Sequence, residues 1–226
     1  MLKLIARIWR EAEPFQNARG FLDGRHGLFV AAIAEELCEV LSEANRMIVL
    51  PAAIMHDIGY ARCTNEELIA VRDIRRGKMT PLGEVAKVNH MKYGAEMARE
   101  ILRGINYDKK YTEEIARIIS RHDLLDECQS LEESIVRDAD KVWRYSTFAL
   151  RDSDGVVGDA SLLYRYFLDN LQRPNYFYNP FAVELAKREI IKSMQAQTPY
   201  SPKVISLALS SALQNHSNYL KIFFNR

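Results

Sequence analysis

Hydrophobic residues recur at three- and four-residue spacing through most of the chain, and the polar, glycine and proline positions between them mark where helices should begin and end. Leu2, Ile5, Ile8 and Trp9 give a first amphipathic helix, with Pro14 and Gly20 as its predicted end. Asp23 is placed to cap a second helix, with His26 in the first turn and Leu28, Ala31, Ala32, Glu35 and Cys38 along a mostly apolar face. Residues 47–58 are nearly all apolar, which predicts a buried helix with Pro51 in its first turn and Gly59 as its stop. A polar connection follows over residues 61–81, with a short helix predicted at 65–74. Thr80 and Pro81 open a further helix to residue 103, with a break expected near Asn89; Gly94 and Ala95 would let another helix approach closely, and Gly104 is a stop. Ile115, Ile118 and Ile119 face inward on a helix over 111–121. Ser130 with Glu133 reads as a capping box for the helix carrying Ile135, Val136, Ala139 and Val142.

The pattern changes beyond Ser146. DSDG at 152–155 reads as a turn, 161–171 as a helix, and RPNYFYNPF at 173–181 as an aromatic loop hemmed by two prolines. Helices over 182–194 and 202–215 and an apolar run at 219–224 complete the chain. No repeat and no strand-type alternation occurs, so the predicted class is all-α, with residues 1–150 as the main domain and 151–226 as a helical C-terminal extension packed on it.

At 226 residues, 48% of them hydrophobic and 27% charged, the chain can bury one sizeable core. Its 31 basic and 30 acidic side chains nearly cancel, which removes any overall field toward a nucleic acid polymer or an anionic membrane. Cys38, Cys63 and Cys128 are odd in number and widely spaced, pointing to a reducing, cytoplasmic setting and away from a disulfide framework or a thiolate zinc site. The first fifteen residues lack the apolar core of a signal peptide, and no stretch reaches the length of a membrane span.

Candidate chemistry lies in the histidines. His56 and Asp57 are adjacent, after an apolar run, and a neutral imidazole beside a carboxylate suits a divalent metal. His26 lies 30 residues before His56, His90 lies 33 after Asp57, His122 lies 32 after His90 and Asp140 lies 18 after His122, so only His216 of the five histidines stands outside the series. A carboxylate on the apolar side of a helix, as Asp140 would be, needs a cation or base for a partner.

The segments GRHGLFVAAIAEELC (24–38), AAIMHDIG (52–59), NHMKYGAEMAREIL (89–102), IARIISRHD (115–123) and SIVRDADKVWRY (134–145) resemble the successive motifs of the HD superfamily of metal-dependent phosphohydrolases, which are all-helical. The resemblance covers roughly residues 20–150 and implies an HD-domain helical bundle. It implies one or two divalent ions, of Fe, Mn, Co, Ni, Zn or Mg, held by His26, His56, Asp57 and Asp140. His90 and His122 then take a second ion bridged by Asp57, or bind substrate phosphate. It implies hydrolysis of a small phosphate mono- or diester, nucleotide-like, by a metal-activated water, since a divalent ion lowers the pKa of water from 15.7 toward about 7. Asp57 would orient that water.

Lys141, next to Asp140, is the preferred catalytic cation, and Arg25, Tyr60, Arg62 and Arg144 are candidates for holding substrate. Arg62 opens a basic run through Arg72, Arg75, Arg76 and Lys78, whose ordinary role would be a solvated connection. Tyr60 stands where cyclic-dinucleotide phosphodiesterases of the superfamily carry Lys and its deoxynucleotidases carry Glu, and Asp123 follows His122 where the former group has a second histidine. Those departures separate the chain from both. Tyr176, Phe177 and Tyr178 can pack internally, close over a base or form a homodimer contact. Two rival functions share the ligand series: a di-iron oxygenase on the HD scaffold, and a non-catalytic metal-stabilised module that senses a nucleotide or binds a protein.

Overall fold

The apolar stripes fold as helices whose ends are set by short polar side chains. The computed structural model describes residues 2–20, 24–75, 78, 80–124, 126–147, 149 and 160–196; among them every regular element is helical and none is a strand. The class is all-α, as the pattern predicts. The chain divides after Arg137 into two compact units.

In the first unit, α1 (Leu2–Gln16) buries Ile8, Ala12 and Gln16, four residues apart on one face. It runs through Pro14, against expectation. Pro14 and Arg10, whose carbonyl loses its amide donor, are both exposed, so solvent can satisfy that carbonyl. Gln16 donates through Nε2 to the Ile54 carbonyl at 2.8 Å, tying α1 to the end of α3 (Arg46–Met55). Helix α2 (His26–Val40) buries Val30, Ala34 and Leu37, whereas Leu28 and Ala32 point outward. Its inner face is therefore rotated from the predicted one. Gly27 brings α2 onto α3, since a Cβ there would lie 2.4 Å from the Ile54 carbonyl oxygen. Asp23, the predicted cap of α2, lies outside the described residues.

Asn45 caps α3, its Oδ1 accepting from the Met47 amide at 3.0 Å. Pro51 therefore falls in the middle of α3 and not in its first turn. The carbonyl it deprives, that of Met47, accepts instead from the Tyr107 hydroxyl at 2.6 Å, which is why a buried proline is tolerated. The helix stops at Met55, three residues earlier than predicted. His56 and Asp57 form a turn, and a 3₁₀ turn, Ile58–Arg62, follows. Gly59 is not the stop. It is the contact with α5 (Pro81–Gly104), where a Cβ would lie 1.9 Å from the His90 carbonyl oxygen and 2.4 Å from the Gly94 nitrogen.

Thr64 and Glu67 form a reciprocal capping box for α4 (Asn65–Arg75), with bonds of 2.7 and 3.2 Å. Thr80 caps α5 through the Gly83 amide at 3.0 Å. The break expected near Asn89 does not occur, because its side-chain amide bonds Glu67 at 2.6 Å on α4 and leaves the backbone helical. Asp108 caps α6 (Lys109–Ile119), after which a turn carries His122. Only half of the predicted Ser130–Glu133 box forms. Ser130 Oγ accepts the Glu133 amide at 3.2 Å, but the Glu133 carboxylate accepts from the Gln129 amide and from Arg117 and Arg137.

Helix α7 (Leu131–Trp143) continues past Arg137 into the second unit. There the buried Asp138 carboxylate accepts the backbone amides of Tyr178 and Asn179 and the Asn179 side-chain amide, at 2.7–3.1 Å. Helices α8 (Ala160–Leu171) and α9 (Pro180–Gln195) pack together, and Ser193 on α9 donates to the Tyr145 carbonyl at 2.6 Å. Among the described residues no helix is long and apolar enough to cross a membrane. The turn at 152–155 and the segments at 202–215 and 219–224 lie outside the described residues.

Candidate metal centre

Four elements of the first unit each bring candidate ligands to one place: His26 opens α2, His56 and Asp57 follow α3, His90 lies inside α5, and His122 sits in the turn after α6. All five side chains are buried. Asp57 stands between two pairs of imidazoles. Its Oδ2 lies 3.3 Å from His26 Nε2 and 3.5 Å from His56 Nε2, and its Oδ1 lies 3.5 Å from His90 Nε2 and 3.2 Å from His122 Nε2. Within the pairs, the two Nε2 atoms are 3.0 Å apart for His26 and His56 and 3.3 Å apart for His90 and His122.

Hydrogen bonds on the far side of two rings set what those nitrogens can do. His56 Nδ1 lies 2.8 Å from the Ala53 carbonyl and His122 Nδ1 lies 2.8 Å from the Ile119 carbonyl. A carbonyl only accepts, so each Nδ1 carries a proton and each ring turns its Nε2 to the centre. His122 aims that nitrogen at an Asp57 carboxylate oxygen and at the His90 ring nitrogen, so a divalent cation there could take the place of a proton between them. Ligands 2.0–2.2 Å from a divalent ion would be separated by about the distances seen here. The donor set therefore fits a divalent metal, with backbone carbonyls orienting the rings behind it.

Electrostatics agree. Burial works against the Asp57 carboxylate, but His56, His122 and His26 outweigh it and hold its pKa well below the usual carboxylate range. Burial, reinforced by His122, pushes the pKa of His90 down to about 4, so His90 is neutral and ready to ligate at physiological pH. Tyr60, itself buried, stacks flat on the His90 ring with centroids 4.1 Å apart and forms the wall behind it.

Residues 24–144 match the model of the HD domain family. The chain belongs to the HD domain family. Comparisons with curated proteins and with solved structures give no match. The HD span contains the whole ligand series, from His26 to Asp140.

The remaining residues singled out from sequence divide by environment. Asp140 is buried on α7, and the Arg144 guanidinium donates to its Oδ2 at 2.8 Å. Lys141 donates to the Tyr176 carbonyl and lies over the Tyr178 ring at 4.5 Å, within the second unit. Arg25 is exposed immediately before His26. Arg62 turns to the surface of α5, where it pairs with Glu100 at 2.7 Å and Glu96 at 3.5 Å. Tyr176 and Phe177 pack in their own unit, Tyr176 hydroxyl against Tyr145 and Phe177 buried.

Two features of the HD domain escaped the sequence reading. Asp123 joins His90 and His122 in a group whose potential ligand atoms all lie within 4.8 Å of one another. Its position directly after a ligand histidine was the available signal. The second is a buried charge cluster on α7. Arg137 bonds Glu133 at 2.5 Å, Asp126 Oδ1 at 3.0 Å, and the carbonyls of Leu124 and Asp126 at 3.0 and 2.8 Å. Arg117 reaches the same Glu133 at 2.7 Å. The i,i+4 spacing of Glu133 and Arg137 was legible, but not its burial.

Proposed function

We propose that this HD domain protein is a phosphohydrolase that cleaves a small phosphate mono- or diester, nucleotide-like, with a metal-activated water. The observation that carries the reading is the bridging posture of Asp57, with a separate pair of imidazoles facing each of its oxygens. Two divalent ions held there would supply a hydroxide at neutral pH and screen the charge that grows on phosphoryl oxygens.

The chain's own residues do the rest. His26 and His56 form one half of the centre, His90 and His122 the other, and Asp57 joins them. Asp140 is assigned to the ligand set as well, because it closes the ordered series of histidines and aspartates in the sequence. Asp57, as a hydrogen-bond acceptor at the middle of the group, would fix the direction of the attacking water. Tyr60 keeps the His90 ring in plane and excludes solvent behind it. Arg25 and Arg144 are assigned to substrate phosphate, and Lys141, which follows Asp140 and donates to the Tyr176 carbonyl, to the role of catalytic cation. Arg62 is the weaker candidate, since Glu96 and Glu100 already occupy its guanidinium.

A reducing compartment suits this centre. Burial pushes the Cys38 thiol up to about 11, which keeps it in its unreactive protonated form. The test is phosphate release from a panel of nucleotides and phosphodiesters with manganese, cobalt, nickel or iron under argon. Asp57→Ala should abolish both metal retention and turnover, and a variant that keeps full activity refutes the scheme. Oxygen uptake without phosphate release would move the same ligands to redox chemistry, and a tight nucleotide ligand that is never consumed would make the protein a sensor.

A further inference from the structure

We propose that Asp123 is a ligand of the His90–His122 half of the centre, giving that ion a second carboxylate besides the shared Asp57. The inference rests on the metal-centre reading above and goes beyond its ligand series, in which Asp123 has no part.

Distance is the first argument. One carboxylate oxygen of Asp123 and one ring nitrogen each of His90 and His122 lie within 4.8 Å of one another. Two ligands on opposite sides of one ion can be at most about 4.4 Å apart, given metal–ligand bonds of about 2.0–2.2 Å. The group therefore closes on a cation with a side-chain adjustment of a few tenths of an ångström.

Rigidity is the second. His122 and Asp123 share a turn whose backbone is pinned on both sides. The Arg121 amide donates to the Ile118 carbonyl at 3.1 Å, the Leu124 amide to the Arg121 carbonyl at 2.9 Å, and the Arg137 guanidinium to the Leu124 carbonyl at 3.0 Å. With His122 already anchored to Ile119, its neighbour's carboxylate is delivered by a fixed loop, which lowers the ordering cost of ligation.

Charge is the third. Without Asp123 the ion would face two neutral imidazoles and half of one carboxylate. A second carboxylate neutralises a dication more fully and adds a hard oxygen donor, which favours Mn²⁺ or Fe²⁺ over softer ions. The ion pair of Asp123 with Lys87 is a weak competitor: 3.9 Å long, with the side chains 22% and 32% exposed.

Manganese alone is the probe. Metal-free wild type, Asp123→Asn, Lys87→Ala and Asp57→Asn are titrated with Mn²⁺ by calorimetry, and bound metal is counted by mass spectrometry after gel filtration. We expect two ions per chain for wild type and for Lys87→Ala. For Asp123→Asn we expect one ion held as in wild type and the second weakened by at least about tenfold, with an unchanged melting curve for the metal-free protein. Asp57→Asn should weaken both. Second-ion affinity that is equal in Asp123→Asn and wild type overturns the proposal, as does an equal loss in Lys87→Ala or a wild type that takes a single ion. In each of these cases the hydrolase reading still stands on its own assay. A wild type that binds no metal removes both.

Discussion

Asp57 remains ionised in a buried position because the imidazoles around it outweigh the cost of burial. His90 shows the opposite balance. Its neutral form is the stable one in the fold, down to about pH 4, whereas in an unfolded chain a histidine takes up its proton near 6.5. A folded pKa below the unfolded one gives stability that is complete above about 6.5 and is lost as pH falls toward about 4. The metal-free protein should therefore lose up to roughly 3 kcal/mol between pH 7 and pH 4.5 from this residue alone. Urea midpoints in chelator should show that slope, and His90→Gln should flatten it. A second residue-scale expectation concerns Tyr107, whose hydroxyl serves the carbonyl left open by Pro51. Tyr107→Phe should cost about 1 kcal/mol in the same urea assay. Pro51 was legible in the sequence, but its acceptor lies 60 residues away in Tyr107, beyond any local pattern.

Helix caps depend on neighbours in sequence, so the starts of α4 and α5 were legible, with Thr80 capping α5, whereas the Asn45 and Asp108 caps were missed and α6 begins two residues before the predicted start. Helix ends and faces depend on what packs against them. The apolar run through Ile58 predicted a longer α3; the chain instead leaves the helix at Met55 because the 3₁₀ turn must pass within contact of the α5 backbone. Gly59 and Gly94 make that crossing, and they differ in tolerance. A Cβ at Gly59 meets backbone at 1.9 Å, whereas one at Gly94 meets the Ile119 Cγ2 methyl at 3.0 Å and the His56 carbonyl oxygen at 3.3 Å. Gly59→Ala should cost about 3 kcal/mol or more and displace His56 and Asp57, and Gly94→Ala should cost about 1 kcal/mol. Denaturation midpoints with metal counts would check both. The charge cluster on α7 sets a similar contrast. Arg137→Met leaves the buried Glu133 undercompensated and should destabilise by about 3 kcal/mol, while Arg62→Ala, at an exposed pair, should stay within about 0.5 kcal/mol.

At the scale of the molecule, four elements of the first unit supply the candidate ligands, so an ion bound by them in the folded chain alone would link them. Divalent metal at 100 times its dissociation constant should add about 2.7 kcal/mol, and chelation should remove it. Thermal melts with and without chelator would show the difference, and it should vanish in Asp57→Ala. The family span of 24–144 crosses the division after Arg137, so the last aspartate of the series belongs to the HD domain by descent and to the second unit by contacts. The sequence by itself determined the helical class, the Thr80 start of α5 and the series of candidate ligands, because periodicity, capping and metal-donor chemistry are properties of residue type and spacing. Only the tertiary structure decided that Asp57 stands between two pairs of imidazoles, that Gly59 is a contact and that Asp123 joins His90 and His122. Those are distances between segments remote in the chain, and packing alone sets them.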